Sequence, residues 1–451
     1  MKKSSLLGHT IQILDIVRSS RRPADRIAGE FFRAHRYLGS SDRRYISGML
    51  YGVLRNMTLL EVHAAGALGG IFSEARSVPL LPSVVLCAAY ALRILGETPE
   101  ELLPDISGLW RLSVPDADCN LFLTVVQKSS LPDDILRDPI RRIAVEQSFP
   151  ESIVREWAER YGPEETERLC RSLNEPAPTA IRVNTTRCTL DECRALLGQE
   201  GVVTRPSAIA PLGLLLEKRV NVQALQAFRR GFFEIQDEGS QTIPLLLEPR
   251  PGACIVDACA GGGGKTLHIA ALMENRGELY AIDTEERRLS NIRERIDRSG
   301  TSIVTVLLAD RDGSKIEGLR GKADAVLVDA PCTGVGTYRR NPGAKLSFSR
   351  DFVDAISQTQ QDVLQRYSSL VKDGGRLVYA TCSLLRKENE EVVASFLDRN
   401  PDFRLLPAGT MSMLHGITSD DASGYLYLLP HKTSTDGFFA AVMTRQTANA
   451  R

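Results

Sequence analysis

ACIVDACAGGGGKT, residues 253–266, decides the fold class of this 451-residue chain. A short apolar run ends at Asp257, glycines fill positions 261–264, and an apolar helical segment follows Lys265. A strand that passes through a glycine turn into a helix is the opening unit of an open α/β sheet. Glycine also lets the backbone approach a ligand closely. The stretch therefore predicts a strand, a turn at a ligand site and a helix.

Strand and helix signals alternate downstream of this stretch. The predicted strands are ELYAID, IVTVLLAD, ADAVLVDAPC and RLVYATCS, with the charged helix TEERRLSNIRERIDRSG between the first two. A second helix, DFVDAISQTQQDVLQRYSSLVK, is expected to end at the turn 373–375 and to lead into the last strand. This alternation predicts an open, mainly parallel sheet.

Two further domains are predicted before the sheet. Residues 1–140 show helical apolar spacing, as in SSDRRYISGMLYGVLRN, where Ser41 is the predicted N-cap. Residues 141–235 contain two amphipathic helices, the strand AIRVNTT and the helix TLDECRALLGQEG, which together predict a small α+β unit. The sheet domain is expected to span residues 236–446.

Composition disfavours several classes of protein. With 43% hydrophobic and 25% charged residues, the chain is typical of globular proteins. We find no run of 18 apolar residues and no signal-peptide pattern, so we expect a cytoplasmic protein without membrane association. The residues leave the oligomeric state open, and a monomer is the expectation. Nine scattered cysteines without a C-x-x-C motif predict reduced thiols and no metal site. Residues 1–60 hold eleven Lys and Arg against four Asp and Glu, which suits either phosphate binding or a solvated helical surface.

Acidic and thiol side chains follow the predicted strands. Because ligands of open α/β sheets bind beyond the carboxyl ends of the strands, we expect these groups to converge at one edge. They are Asp257, Asp283, Asp310, Asp329, Cys332 and Cys382.

The glycine turn indicates a nucleoside cofactor. The phosphate-binding pattern G-x-x-x-x-G-K-[ST] requires glycine where this chain has Cys259, so that interpretation fails. Asp283 is placed to bind ribose hydroxyls, and Asp310 to accept from an adenine amino group. The set fits S-adenosylmethionine at least as well as NAD.

Two thiols at this edge suit chemistry on a pyrimidine. C5 of the ring is a poor nucleophile until a thiolate adds at C6, and the C5 proton must leave before the thiol is eliminated. Such a reaction needs an activated cysteine, a proton donor near N3 and a group that assists elimination. Asp329, Cys332, Cys382 and Lys265 are residues of suitable types. Spacing alone does not say which cysteine attacks.

The chain resembles a known family through its successive motifs. DACAGGGGKT, AIDTEERRL, LLAD, DAPCTGVGTYRRNP and YATCSLLRKENEEVV resemble those of RNA cytosine-5 methyltransferases of the Sun/RsmB type, which act on bacterial 16S ribosomal RNA. FPESIVREWAERYG, LNEPAPTAIRVNTT, FEIQDEGSQ and PHKTSTDGFFAA match as well. The resemblance implies an all-α NusB-like RNA-binding domain, a small α+β RNA-binding-like subdomain and a Rossmann-like methyltransferase domain that uses S-adenosylmethionine.

The resemblance also implies roles for individual residues. Cys382 would attack the base, Cys332 would help to release the product, and Asp329 would face both cytosine and cofactor. Lys265 is added to this catalytic set because its residue type suits the chemistry. The implied cofactor contacts are Cys259, Ala260, Gly261, Gly262, Gly263, Gly264, Lys265, Asp283, Asp310 and Asp329.

Two departures from the family pattern stand out. Gly261 and Gly262 replace Ala-Pro in the loop C-A-A-P-G-G-K, which predicts a more flexible loop and weaker cofactor binding. Asn341 and Gly343 replace His and Asp in R-H-P-D, so any contact made by that aspartate is missing.

Two other classes of function remain open. One is a binding protein with an inert sheet domain and a helical end that binds RNA or a transcription partner, which the two retained thiols disfavour. The other is a nucleotide hydrolase, which the missing glycine at position 259 disfavours.

Overall fold

The computed structural model describes residues 1–20, 22–69, 81–310, 314–413 and 423–447. The chain forms two compact units, one of Met1–Glu175 with Tyr338–Phe348 and one of Pro176–Thr337 with Ser349–Arg451. Within the described ranges, no helix has the length and apolar character needed to span a membrane.

The first unit is built from α-helices around one apolar core. Buried side chains from helices along residues 3–128 form this core, and the Trp110 and Phe122 rings lie 4.6 Å apart within it. Its described helices are α1 (Lys3–Ser19), α2 (Ala24–Ala34), α3 (Ser40–Arg55), α4 (Met57–Gly69), α5 (Ser83–Arg93), α6 (Pro99–Ser113), α7 (Cys119–Lys128), α8 (Asp133–Arg137), α9 (Pro139–Glu146), α10 (Glu151–Tyr161) and α11 (Pro163–Asn174).

The predicted N-cap of α3 is wrong. The helix already includes Ser40, and its N-cap is Gly39 rather than Ser41. The carboxylate of Asp42 accepts a hydrogen bond of 3.1 Å from the Gly39 N–H. An acidic side chain in the first turn thus caps the helix in place of a serine hydroxyl.

The segment Tyr338–Phe348 belongs to the helical unit although it follows the DAPC motif in sequence. Lys345 is buried there: its Nζ donates to Asn174 Oδ1 at 2.5 Å and lies 3.9 Å from the centre of the Phe149 ring. Burial lowers the pKa of Lys345 to about 7. A Cβ atom at Gly343 would meet Ala24 at 3.4 Å, so a side chain at this departure from the family pattern would meet α2.

The second unit begins with a small α+β subdomain, as predicted. Its antiparallel sheet has the order β2-β3-β1-β4, and apolar side chains from the strands and helices pack on one another. Its elements are β1 (Thr179–Val183), α12 (Leu190–Gln199), β2 (Thr204–Pro206), β3 (Gly213–Leu216), α13 (Gln226–Arg229) and β4 (Phe233–Ile235).

The larger sheet has eight described strands in the order β10-β12-β9-β8-β5-β6-β7, with β11 also paired to β12. The strands β9, β8, β5, β6 and β7 are parallel, and β10, β11 and β12 pair antiparallel, so the mainly parallel sheet is confirmed. The remaining elements are α14 (Glu238–Thr242), β5 (Cys254–Asp257), α15 (Gly264–Leu272), β6 (Glu278–Asp283), α16 (Glu286–Ser299), β7 (Val304–Leu308), β8 (Ala323–Asp329), α17 (Arg350–Ser368), β9 (Val371–Thr381), α18 (Glu390–Arg399), β10 (Phe403–Leu406), β11 (Leu426–Leu428), α19 (Pro430–Thr433) and β12 (Phe438–Arg445).

The predicted junction between α17 and β9 is wrong. The helix ends at Ser368, and β9 already begins at Val371, before the two glycines. Gly374 has a φ of +72°, and the pairing register with β8 shifts near it. The glycines therefore form an irregularity within the strand rather than a helix stop.

The helices α10 and α11 lie in the first compact unit, together with the preceding helices. The sequence instead groups them with the small α+β subdomain. The domain limits 1–140, 141–235 and 236–446 therefore stay a prediction.

Candidate active site

Four neighbouring strands of the larger sheet deliver polar groups to one edge. Strands β5, β6 and β8 end at Asp257, Asp283 and Asp329, and Cys382 follows the end of β9. These strands are parallel and adjacent, so their carboxyl ends share one edge of the sheet.

The glycine turn and Asp283 form one hydrogen-bonded unit. The Gly263 N–H donates to Ala260 O at 2.8 Å, and Gly261 has a φ of +54°, which glycine adopts without strain. The Gly261 N–H donates to Asp283 Oδ2 at 2.9 Å, while Glu285 N–H donates to Oδ1 at 2.9 Å. The side chain of Asp283, only 5% exposed, is thereby held beside the turn.

Asp257 is fully buried below the turn, and Cys259 is half-buried. Burial, with the charges of nearby carboxylates, raises the pKa of the Cys259 thiol well above its usual value, so this thiol is neutral. Asp257 Oδ2 accepts from Thr266 Oγ1 at 2.6 Å, whereas its Oδ1 has no partner among the described residues. Burial raises the pKa of Asp257 to about 7.

Lys265 and Asp329 form an ion pair with 2.6 Å between Nζ and Oδ2. The Lys265 side chain is 13% exposed and that of Asp329 is 28% exposed. Burial opposes the charge on Lys265, but the Asp329 carboxylate outweighs it, and the pKa of Lys265 is raised. The site therefore holds an ammonium group and an acceptor side by side.

Cys332 and Cys382 lie with their sulfur atoms 3.2 Å apart, within hydrogen-bonding distance. The hydrogen bond with Cys382, together with burial, raises the pKa of Cys332 well above that of an ordinary thiol. Cys332 thus keeps its proton and is able to donate it to the sulfur of Cys382. The backbone completes the arrangement, since Gly336 N–H donates to Cys382 O at 2.9 Å.

Asp310 lies two residues beyond the end of β7. Its carboxylate accepts from Ser314 Oγ at 2.7 Å and from Lys315 N–H at 3.2 Å. Its Oδ1 also lies 3.6 Å from Arg366 Nη2. The structure thus ties this predicted site residue to Ser314, Lys315 and Arg366.

Sequence reasoning missed Glu388, which joins the two cysteine loops. Its fully buried carboxylate accepts from Thr333 N–H at 2.8 Å, Thr333 Oγ1 at 2.5 Å, Ser383 Oγ at 2.5 Å and Gln360 Nε2 at 3.0 Å. Thr333 follows Cys332, and Ser383 follows Cys382. The run RKENEE is typical of an exposed surface, so no sequence signal marked this glutamate as buried.

Sequence reasoning also missed Arg182, which connects the small subdomain to the glycine loop. Arg182 is 1% exposed, its Nε donates to Gln236 Oε1 at 2.7 Å, and its Nη2 lies 3.5 Å from Gly264 O. Burial lowers its pKa to about 10, so the side chain remains charged. An arginine inside the apolar strand AIRVN was the available signal.

Metal binding has no structural support in the described ranges, where no group of three or more His, Cys, Asp or Glu side chains is arranged to hold an ion. The arrangement instead offers two thiols, a Lys–Asp pair and a glycine turn beside an acid. These groups can supply a nucleophile, a proton donor and a binding loop.

Two family models match the chain. The model of the 16S rRNA methyltransferase RsmB/F covers residues 244–444. The model of the ferredoxin-like domain of RsmF/B-like methyltransferases covers residues 149–223.

Individual proteins match over most of their length. The probable ribosomal RNA small subunit methyltransferase B of Bacillus subtilis (strain 168) is 29% identical, over 99% of this chain and 100% of the relative. The protein of the same name from Synechocystis sp. is 31% identical, over 90% of this chain and 91% of the relative. Among solved structures, the crystal structure of PH0851 matches with a TM-score of 0.78 at 26% identity, over 98% of this chain and 99% of that one.

Proposed function

Because this chain belongs to the ribosomal RNA small subunit methyltransferase B family, we propose that it methylates C5 of a cytosine in 16S ribosomal RNA. The methyl donor in this proposal is S-adenosylmethionine, and the reaction passes through a covalent bond between a cysteine and C6. The observation that carries the proposal is the pair of sulfurs 3.2 Å apart beside the Lys265–Asp329 ion pair.

The residues at the strand ends fit this cofactor. The glycine turn places backbone beside Asp283, an acid suited to ribose hydroxyls. The unpartnered Asp257 Oδ1 offers a further acceptor near the base of the turn. When bound, S-adenosylmethionine supplies an electrophilic methyl group. We assign its binding to residues 259–265 with Asp283, Asp310 and Asp329.

Cys382 is the proposed nucleophile and Cys332 the proposed helper. The raised pKa of Cys332 keeps the proton on that sulfur, so Cys332 is the donor and Cys382 the acceptor of the contact between them. Lys265 lies near this sulfur, and the charge of Cys382 is one of the causes that raise the pKa of the Lys265 ammonium.

The Lys265–Asp329 pair is proposed to handle the base. Addition of Cys382 to C6 builds negative charge on the ring, which a proton donor near N3 neutralises. The Lys265 ammonium can donate, and the Asp329 carboxylate can accept from the exocyclic amino group of cytosine. After methylation the C5 proton passes to water, the electron pair of the C5–H bond forms the C5–C6 double bond again, and the electron pair of the S–C6 bond returns to Cys382. Cys332 assists this elimination.

The helical residues 1–140 are proposed to form a NusB-like domain that places the RNA. Their first 60 residues carry the basic surplus, and Arg33, Arg36 and Arg44 are exposed. Tyr37 is 65% exposed beside His35, with ring centres 5.8 Å apart. Arginines bind phosphates and exposed rings stack on unpaired bases, so this combination suits single-stranded RNA.

We also propose that the protein works as a monomer in the cytoplasm. All nine cysteines are free of disulfide bonds, including the closely spaced catalytic pair. This state supports a reducing compartment.

Methyl transfer to 16S ribosomal RNA tests the proposal. The purified protein is incubated with the RNA and methyl-labelled S-adenosylmethionine, and the nucleosides are separated by mass spectrometry. Label in 5-methylcytidine is expected, and label in another nucleoside or in none contradicts the proposal. Bisulfite sequencing of RNA from a deletion strain then identifies the target nucleotide.

A further inference from the structure

We propose that Arg295 is a positioning residue for the cofactor loop. It replaces the backbone restraint that Ala-Pro gives in the family pattern at positions 261 and 262, where this chain has two glycines. The inference rests on the proposed function, because it concerns the site assigned to S-adenosylmethionine. Arg295 lies on α16, outside every motif used to predict the site.

The glycine turn has little rigidity of its own. Gly261 and Gly262 are the central residues of the turn closed by the Gly263 N–H and Ala260 O. Glycine samples a wide range of backbone angles, so two adjacent glycines leave many competing conformations. A contact from outside the turn is therefore needed to select one of them.

Arg295 supplies that contact. Its Nη1 donates to Gly262 O, while its Nη2 and Nε donate to Glu234 Oε2 at 2.9 Å and 3.1 Å. Glu234 lies on β4 and is 3% exposed. Because Glu234 holds two donors of the planar guanidinium, the third donor is presented to Gly262 in a fixed direction.

The helix that carries Arg295 is itself held in place. Asn184 Nδ2 and Arg187 Nε, from the loop after β1, each donate to Ser299 O at 3.0 Å. Asn184 Nδ2 also lies 2.9 Å from Gly231 O. The small subdomain thus anchors the end of α16, and Arg295 transmits that anchorage to the glycine turn.

The opposite side of the turn meets the proposed ribose-binding acid. Gly261 N–H donates to Asp283, while Gly262 O accepts from Arg295. Loss of the arginine would free the turn and loosen its contact with Asp283. The expected defect is therefore in cofactor binding rather than in the reaction at the cysteines.

Arg298 provides a matched control on the same helix. Its Nη2 lies 2.5 Å from Glu234 Oε1, so it shares the buried glutamate with Arg295. Its contacts lie with Glu234 and, at 4.2 Å, the Phe228 ring rather than with the glycine turn. Arg298→Met therefore disturbs the ion cluster and leaves the bond to Gly262 in place.

The test compares Arg295→Met and Arg298→Met with the full-length parent protein, since methionine keeps an aliphatic stem. Calorimetric titration measures the Kd for S-adenosylmethionine. Hydrogen exchange without cofactor measures the exchange rates of the backbone amides of residues 258–266. Arg295→Met is expected to weaken binding about 5- to 30-fold. Its turn should exchange several-fold faster, and its kcat at saturating cofactor should stay within about twofold. Arg298→Met should match the parent protein in both binding and exchange at the turn.

Each remaining outcome is decisive. Unchanged Kd and unchanged exchange in Arg295→Met overturn the inference, as does an equal loss in Arg298→Met, which would assign the effect to the whole cluster. If Arg295→Met does not fold, Arg295→Gln takes its place with the same expectations. Glutamine keeps a single NH2 donor group in place of the guanidinium. A parent protein that binds no S-adenosylmethionine refutes the proposed function instead, and the exchange comparison still decides the restraint.

Discussion

Replacing Glu388 by glutamine is expected to damage both stability and catalysis. Each carboxylate oxygen accepts two hydrogen bonds: Oε1 from the hydroxyls of Thr333 and Ser383, and Oε2 from Thr333 N–H and Gln360 Nε2. An amide keeps one acceptor and turns the other position into a donor. A hydrogen bond to a charged group contributes about 1.5–3 kcal/mol, so losing two predicts about 3–6 kcal/mol. Because the two hydroxyls can rotate and accept from the new amide, we expect about 2–4 kcal/mol.

The catalytic effect follows from the position of Glu388 between the two cysteine loops. A small displacement of Cys332 relative to Cys382 should lower kcat at least about 10-fold at a temperature where the variant is folded. Urea denaturation measures the first effect and methyl transfer the second. Glu391→Gln is the control, because that side chain is 55% exposed and its ion pair with Lys387 is long, at 3.8 Å. This substitution should change the free energy of unfolding by less than about 0.5 kcal/mol. A Glu388→Gln protein with parental stability and kcat would refute the reasoning.

Three further predictions concern the cofactor, the buried acid and the RNA surface. Asp283→Ala should weaken binding of S-adenosylmethionine about 10- to 150-fold in calorimetry while the protein stays folded, and unchanged affinity would show that the strand-end assignment is wrong. Asp257 has a folded pKa of about 7, above its ordinary value, so its contribution to stability is present at low pH and is lost as pH rises from about 4 to about 7. The free energy of unfolding of the parent should therefore fall, relative to that of Asp257→Asn, as the pH of denaturation experiments rises from about 4 to about 7. A difference between the two proteins that stays constant over this range would contradict the prediction. Replacing Arg33, Arg36 and Arg44 by serine should weaken RNA binding and flatten its salt dependence without changing cofactor affinity, and unaltered RNA binding would assign the helical unit another purpose.

The sheet and the strand-end groups were predictable because they depend on local patterns. Alternating strands and helices require a parallel order, and parallel strands bring their carboxyl ends together. Asp257, Asp283, Asp329 and Cys382 could therefore be placed from their positions in the chain. The end of α17 could not, because Gly374 and Gly375 suit either a helix stop or a strand irregularity, and only the pairing with β8 decides between them.

The groups that support the site were not predictable from the sequence. Glu388 and Arg295 lie in charged runs typical of solvent-exposed helices, and their buried partners come from distant parts of the chain. Tertiary contacts of this kind leave no periodic signal. The short distance between the Cys332 and Cys382 sulfurs likewise depends on two loops that only the folded chain brings together.

Covalent catalysis is tested most directly by denaturing electrophoresis of Cys332→Ala and Cys382→Ala with labelled substrate RNA and S-adenosylmethionine. Without the helper, addition and methyl transfer proceed while elimination stalls, so Cys332→Ala should accumulate a protein–RNA adduct. Without the attacking thiol no bond forms, so Cys382→Ala should give neither adduct nor product, and the double variant should match it. An adduct from Cys382→Ala alone would reverse the two roles, and full activity without adduct in both variants would contradict covalent catalysis by this pair.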